Sequence, residues 1–139
     1  MNYNLDRYIK AQQYTYQNAV AELQAGRKRT HWMWFVFPQL IGLGRSQRAI
    51  DYAISSLEEA EAYLHHPILG SRLIELSNLL LKYESKEIKE VFGSPDDLKL
   101  HSCMTLFSFA SSSEVNIFQM VLDKCFDGKP DNGTITLLK

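Results

Sequence analysis

Seven polar residues of this chain have the types and spacing that suit chemistry: Lys28, His31, Gln39, Arg45, Ser46, Asp97 and Lys99. Lys28 and Arg45 are the natural contacts for an anion, and His31 and Gln39 supply hydrogen-bonding groups beside them. Asp97 and Lys99 make one acid and one base, the least set that proton or charge chemistry requires. Ser46 closes Gly42-Leu43-Gly44-Arg45-Ser46, a pair of glycines followed by a cap-like serine. That order resembles the opening of a phosphate-cradling loop, where backbone N–H groups and a helix start meet an anion. No strand precedes it and no third glycine follows, so it fails the context of a dinucleotide fingerprint, and a tight surface turn is the plainer explanation. Between the two groups of polar residues lies His31-Trp32-Met33-Trp34-Phe35-Val36-Phe37, which holds both tryptophans. Trp32 or Trp34 offers a stacking wall for a ligand, and each ring buries roughly 150–250 Å² when enclosed.

The elements that must position these residues read as helices. Asn4 suits the cap of a helix over Leu5–Ala25, with Leu5, Tyr8, Ile9, Tyr16, Ala19, Val20 and Leu23 on one face and Gly26 as the stop. Arg27-Lys28-Arg29 then stands at a helix C-terminus, where cations suit the dipole, and a solvated helix end is the plain explanation for them. The aromatic run reads as a short buried helix with Thr30 as cap and Pro38 as stop. Further helix starts are expected at Ser46, at the capping box from Ser56 to Glu59, near Pro67 and at Ser85. Ser94-Pro95-Asp96-Asp97 opens another, with cap, proline and two acids in order. That helix, to about Ala110, carries one apolar stripe of Leu100, Cys103, Met104 and Phe107 and a second of Leu98, Leu106 and Phe109. Asp97, His101, Thr105 and Ser108 run between them, facing either solvent or a polar pocket. A last long helix is expected from Glu114 to Phe126, with Val115, Phe118, Val121, Leu122 and Cys125 inward. His65 and His66 point about 100° apart on a helix, too far to share a metal ion.

Composition bounds the function. A chain of 139 residues with 45% hydrophobic and 12% aromatic content builds a packed core without a disulfide framework. A net charge of −1 argues against a dedicated nucleic-acid binder, which needs a strongly basic surface. Cys103 and Cys125 fall in apolar helical patterns and read as buried free thiols, with no spacing for zinc. Met1-Asn2-Tyr3-Asn4 lacks a signal architecture, and no apolar run reaches the ~20 residues of a membrane span. The expectation is a cytoplasmic protein with no membrane partner, no metal and no cofactor; the sequence sets no oligomeric state.

Several longer stretches together resemble a known family. They are Gly26 to Gln39, Gly42 to Ser46, Ile54 to Ala60, and Phe92 to Leu100. Their combination is similar to a bacterial domain family of unknown function whose members are often labelled "calpastatin-like". The resemblance covers Leu5 to Leu138 and implies a mainly helical single-domain protein, without an established activity. The calpastatin label carries no weight, because such an inhibitor is disordered, repetitive and poor in aromatics.

The expected fold is therefore all-α: one compact orthogonal helical domain of about seven or eight helices spanning residues 1–139. Two functional readings stand beside each other. One is a binding or catalytic site for an anionic, phosphorylated and nucleotide-like small molecule. It would use Asp97, Lys99 and His31 for chemistry, and Lys28, Trp32, Gln39, Arg45 and Ser46 for binding. The other is a protein-interaction module without catalytic activity, in which these residues only cap and satisfy helices. No Ser-His-Asp order, metal motif or nucleophile elbow favours an enzyme.

Overall fold

The computed structural model describes residues 3–139; Met1 and Asn2, part of the stretch read for a signal, lie outside them. Helix α1 (Asp6–Ala25) buries Tyr8, Gln12, Tyr16, Ala19 and Leu23 along one face. It stops at Gly26, whose φ of 92° is the left-handed turn that a side chain disfavours. Its start differs from expectation: Leu5 holds the cap position without a side-chain bond, and Asn4 instead offers its carbonyl to Arg7.

The aromatic run forms a helix of a single turn, α2 (Met33–Val36), with Trp32 rather than Thr30 at its cap. The Thr30 N–H and hydroxyl are both taken by the Glu22 carboxylate, at 2.9 and 2.6 Å, so Thr30 belongs to the turn after α1. Trp32 is fully buried with its ring near Phe37 and Phe92, whereas Trp34 is partly exposed. Trp32 stands at the non-helical cap and Trp34 inside the turn, so the two rings leave the backbone in different directions and do not share the interior. Gln12 Nε2 donates to the Phe35 carbonyl at 2.8 Å and fixes α2 on α1.

After α2 the chain makes one parallel bridge between Leu40 and Ile54 around the short α3 (Gln47–Asp51). Helices α4 (Leu57–His65) and α5 (Leu69–Leu80) follow. Ser56 caps α4 by accepting from the Glu59 N–H at 3.1 Å, while the Glu59 carboxylate turns to Ser55 and Arg7. At α6 (Ser85–Phe92) the cap is Glu84, paired reciprocally with Glu87, instead of Ser85.

Helix α7 (Asp96–Ala110) is the centre of the fold and touches α2, α4, α6, α8 (Ile117–Cys125) and α9 (Asn132–Leu138). Ser94 does not cap it. The Asp97 N–H already meets the Gly93 carbonyl at 2.9 Å, and the Ser94 hydroxyl donates to Asp97 Oδ1. The middle of α7's polar stripe, His101 and Thr105, is covered by the segment leading into α9. His101 stacks on Phe126 and Thr105 Oγ1 accepts from the Asp131 N–H at 2.9 Å. Leu98 and Phe109, expected to pack, are 61% and 53% exposed, and Val115, ahead of α8, is 71% exposed. The described residues hold nine helices, two of them the short α2 and α3, around one continuous buried cluster. None is long and apolar enough to cross a membrane. Cys103 and Cys125 are buried and unpaired.

Candidate functional site

Two adjoining concavities lie where α2, α3, α7 and the start of α9 meet. The first is a narrow slot of about 10 Å³ lined by Met33, Trp34, Phe37, Gln39, Ala49, Tyr52 and Lys99, room for one water-sized group. The second is an open groove of about 400 Å³, bordered by Leu43, Gly44, Pro95, Leu98, Ser102 and Asp131. Gln39 and Lys99 line both and so mark where they join. The Leu40–Ile54 bridge brings Gln39 here, since the Gln39 carbonyl accepts from the Ile54 N–H at 2.8 Å. Gly44 fits because it lacks a side chain; a Cβ there would stand 2.5 Å from that of Ala49 on α3.

The slot is rich in donors. Lys99 Nζ lies 5.0 Å from the centre of the Trp34 ring, and the Arg48 guanidinium lies 5.5 Å from it. The negative face of the indole attracts both cations. Arg48 is exposed, borders neither concavity, and has no carboxylate within ion-pair distance among the described residues. Trp34 Nε1 is the one buried side-chain nitrogen or oxygen among them without a hydrogen-bond partner. An orphaned buried donor costs about 1–3 kcal/mol, so a group that accepts from it is favoured.

Charge is organised around Asp96, at the first turn of α7. Its Oδ2 meets Lys28 Nζ at 2.9 Å and its Oδ1 meets Lys99 Nζ at 3.5 Å. Lys28 also donates to the Thr30 carbonyl at 2.6 Å and lies 5.0 Å from the centre of the Trp32 ring. Its side chain is only 7% exposed. It braces the turn after α1 against α7 and does not border the groove.

The residues singled out from the sequence therefore divide. Gln39 and Lys99 come together at the slot, and Lys28 joins the same turn of α7 through Asp96. His31 and Arg45 are exposed and outside the lining, although Arg45 follows Gly44 directly. Ser46 Oγ accepts from the Ala49 N–H at 3.1 Å and caps α3. Trp32 is enclosed and gives its N–H to Glu22, so the ring beside the slot is that of Trp34. Asp97 Oδ1 is engaged by Ser94 and by the Leu98 N–H at 2.9 Å.

Arg48, Ser102 and Asp131 escaped the sequence reading. Asp131 carried a signal, being three residues before Thr134 in the manner of a cap, and Ser102 lies one helical turn beyond Lys99. Nothing in the sequence marks Arg48. No group of three or more potential metal ligands is present among the described residues. A larger concavity of about 430 Å³ beside α5 and α8, lined by Leu64, Ile74, Val115, Phe118 and Met120 among others, is mostly apolar. It lacks the convergent donors of the slot.

Comparison with known proteins places the chain among relatives without assigned activity. A family described as "Protein of unknown function (DUF1810)" matches residues 2–138. A solved structure, the conserved hypothetical protein Rv1873 from Mycobacterium tuberculosis, is similar at 52% identity over 97% of this chain and 96% of that one, with a TM-score of 0.92. None of the curated proteins matches.

Proposed function

The chain belongs to that family of unknown function, and we propose that it binds an anionic small molecule, phosphorylated and of nucleotide-like size, at the Trp34–Lys99 slot and the groove beside it. The observation that carries this reading is Lys99 over an indole whose own buried N–H has no acceptor, both residues bordering the slot. Lys99, Trp34 Nε1 and the Gln39 amide all supply protons, and an anionic oxygen is the group that accepts from such a set. A groove of about 400 Å³ falls within the usual range for small-molecule sites, roughly 300–1,000 Å³. The reading is one of binding. Of the groups put forward for proton chemistry, Lys99 borders the site, while Asp97 and His31 do not.

Thermal unfolding in the presence of ADP, pyrophosphate and inorganic phosphate tests it. A ligand at 100 times its Kd stabilises by about 2.7 kcal/mol, which raises the Tm by several degrees in a domain of this size. ADP or pyrophosphate is expected to raise the Tm of the native chain, and Lys99→Met to abolish most of the shift. Identical melting with and without all three anions removes the anion reading and leaves the interaction module.

A further inference from the structure

Asp131 faces the groove with half of its carboxylate already committed. Oδ2 accepts from the Ser102 hydroxyl at 3.1 Å, the Thr134 N–H at 3.0 Å and the Thr134 hydroxyl at 2.7 Å. Three donors on one oxygen lock the group, and Oδ1 has no donor among the described residues. Ser102 is in the same condition. Its proton is shared between the Leu98 carbonyl and Asp131, at 3.2 and 3.1 Å, which leaves its lone pairs as the free part. Both residues border the groove and neither borders the slot. The site thus has two unlike ends, donors at Trp34, Lys99 and Gln39 and acceptors at Asp131 and Ser102. Lys99 and Ser102 are three residues apart on α7, a rise of roughly 4.5 Å.

We infer that the ligand is a phosphorylated sugar lying in the groove, its phosphate at the mouth of the Trp34–Lys99 slot with one oxygen entering it, and its ring hydroxyls on Asp131 Oδ1 and Ser102 Oγ. This rests on the anion reading above and adds the polar chemistry of the other end. An ionised carboxylate accepts only, so the end of the ligand beside Asp131 must carry donors and not the negative charge. That fixes the direction in which the molecule lies. Lys99 and Ser102 border the same groove from successive turns of α7, so one small molecule lying along it meets both ends. Leu43, Pro95 and Leu98 border the groove and suit the apolar faces of a sugar ring.

Isothermal titration with four probes decides the matter: ribose 5-phosphate, cyclopentylmethyl phosphate, phosphoethanolamine and inorganic phosphate. Cyclopentylmethyl phosphate keeps the phosphate and ring size without hydroxyls. Ribose 5-phosphate is expected to bind at least about tenfold tighter than it, the scale of one or two good hydrogen bonds. In Asp131→Ser, which retains a cap for α9, the difference should shrink to what the Ser102 contact alone supplies. Equal affinity for the two on the native chain overturns the sugar assignment while the anion reading stands. Phosphoethanolamine binding more tightly than ribose 5-phosphate overturns it too, in favour of an ammonium on Asp131. An undiminished preference in Asp131→Ser overturns the role of Asp131. If none of the four binds, the anion reading fails and this inference with it. The comparison of probes on the native chain decides even if Asp131→Ser does not fold.

Discussion

The indole N–H of Trp32 donates to Glu22 Oε1 at 3.0 Å, tying the centre of the aromatic run to the end of α1. The same carboxylate accepts from the backbone of Arg29 and Thr30 and from the Thr30 hydroxyl. Burial alone would raise the Glu22 pKa, but these four donors outweigh it and hold the group below its ordinary value of 4.5. The depressed folded value means that the contribution is complete above the unfolded pKa and is lost as pH falls through the folded one. The urea midpoint should therefore drop on acidification below about pH 4.5, and Glu22→Gln should show a shallower drop over that window. Equal slopes for the two proteins would remove Glu22 from the acid response.

The two tryptophans should separate sharply on truncation. Trp32 is fully enclosed and hydrogen-bonded, so Trp32→Ala is expected to cost about 3–5 kcal/mol in urea unfolding. Trp34 is partly exposed and has an unsatisfied N–H, so Trp34→Ala should cost clearly less. A larger loss at Trp34 than at Trp32 would contradict the placement of α2.

Much of this fold is legible in the chain. The stripe of α1, its stop at Gly26, the Ser56 cap and the buried cysteines follow from spacing and residue type alone. Periodicity identifies a helix's apolar faces but not how far its neighbours extend. Leu98, Phe109 and Val115 therefore look inward in the sequence and lie exposed in the fold. Trp32 and Trp34 are equivalent in an all-apolar run, and Glu22, ten residues from Trp32, decides which is enclosed. The same holds for the site. Lys99 and Gln39 stand out by type, but Asp131 joins them at the groove only through packing between distant segments, which no local pattern encodes.

Gly70 is the position least tolerant of a side chain. A Cβ there would stand 1.9 Å from the Leu64 carbonyl oxygen, backbone of the preceding helix that no rotamer change can move. Gly70→Ala must push α4 and α5 apart, and a loss of about 3 kcal/mol or more is expected from such overpacking. A variant that unfolds at the native midpoint would show that the two helices separate freely.

The thiols should be slow to react. Burial drives the Cys103 pKa well above its usual range and raises that of Cys125 to about 11. The reactive thiolate is therefore scarce at pH 8, and the native chain should label with a thiol reagent far more slowly than the urea-unfolded chain. Rapid labelling of native Cys103 would place it at the surface.

Asp96 offers a test in which stability and binding move in opposite directions. Its carboxylate pairs with Lys28 at 2.9 Å and with Lys99 at 3.5 Å. In Asp96→Asn the nearly buried Lys28 ammonium loses its counter-charge, and a cost of about 1–3 kcal/mol is expected for a partly enclosed charged bond. The same change releases Lys99 from a competing anion at the mouth of the slot. If the slot binds anions through Lys99, ADP should bind Asp96→Asn more tightly than the native chain, with a steeper dependence on salt as screening acts on the freed charge. Titration at two ionic strengths, beside urea unfolding of the same variant, measures both effects. Weaker ADP binding by a folded Asp96→Asn would mean that Asp96 positions Lys99 for the anion instead of competing with it.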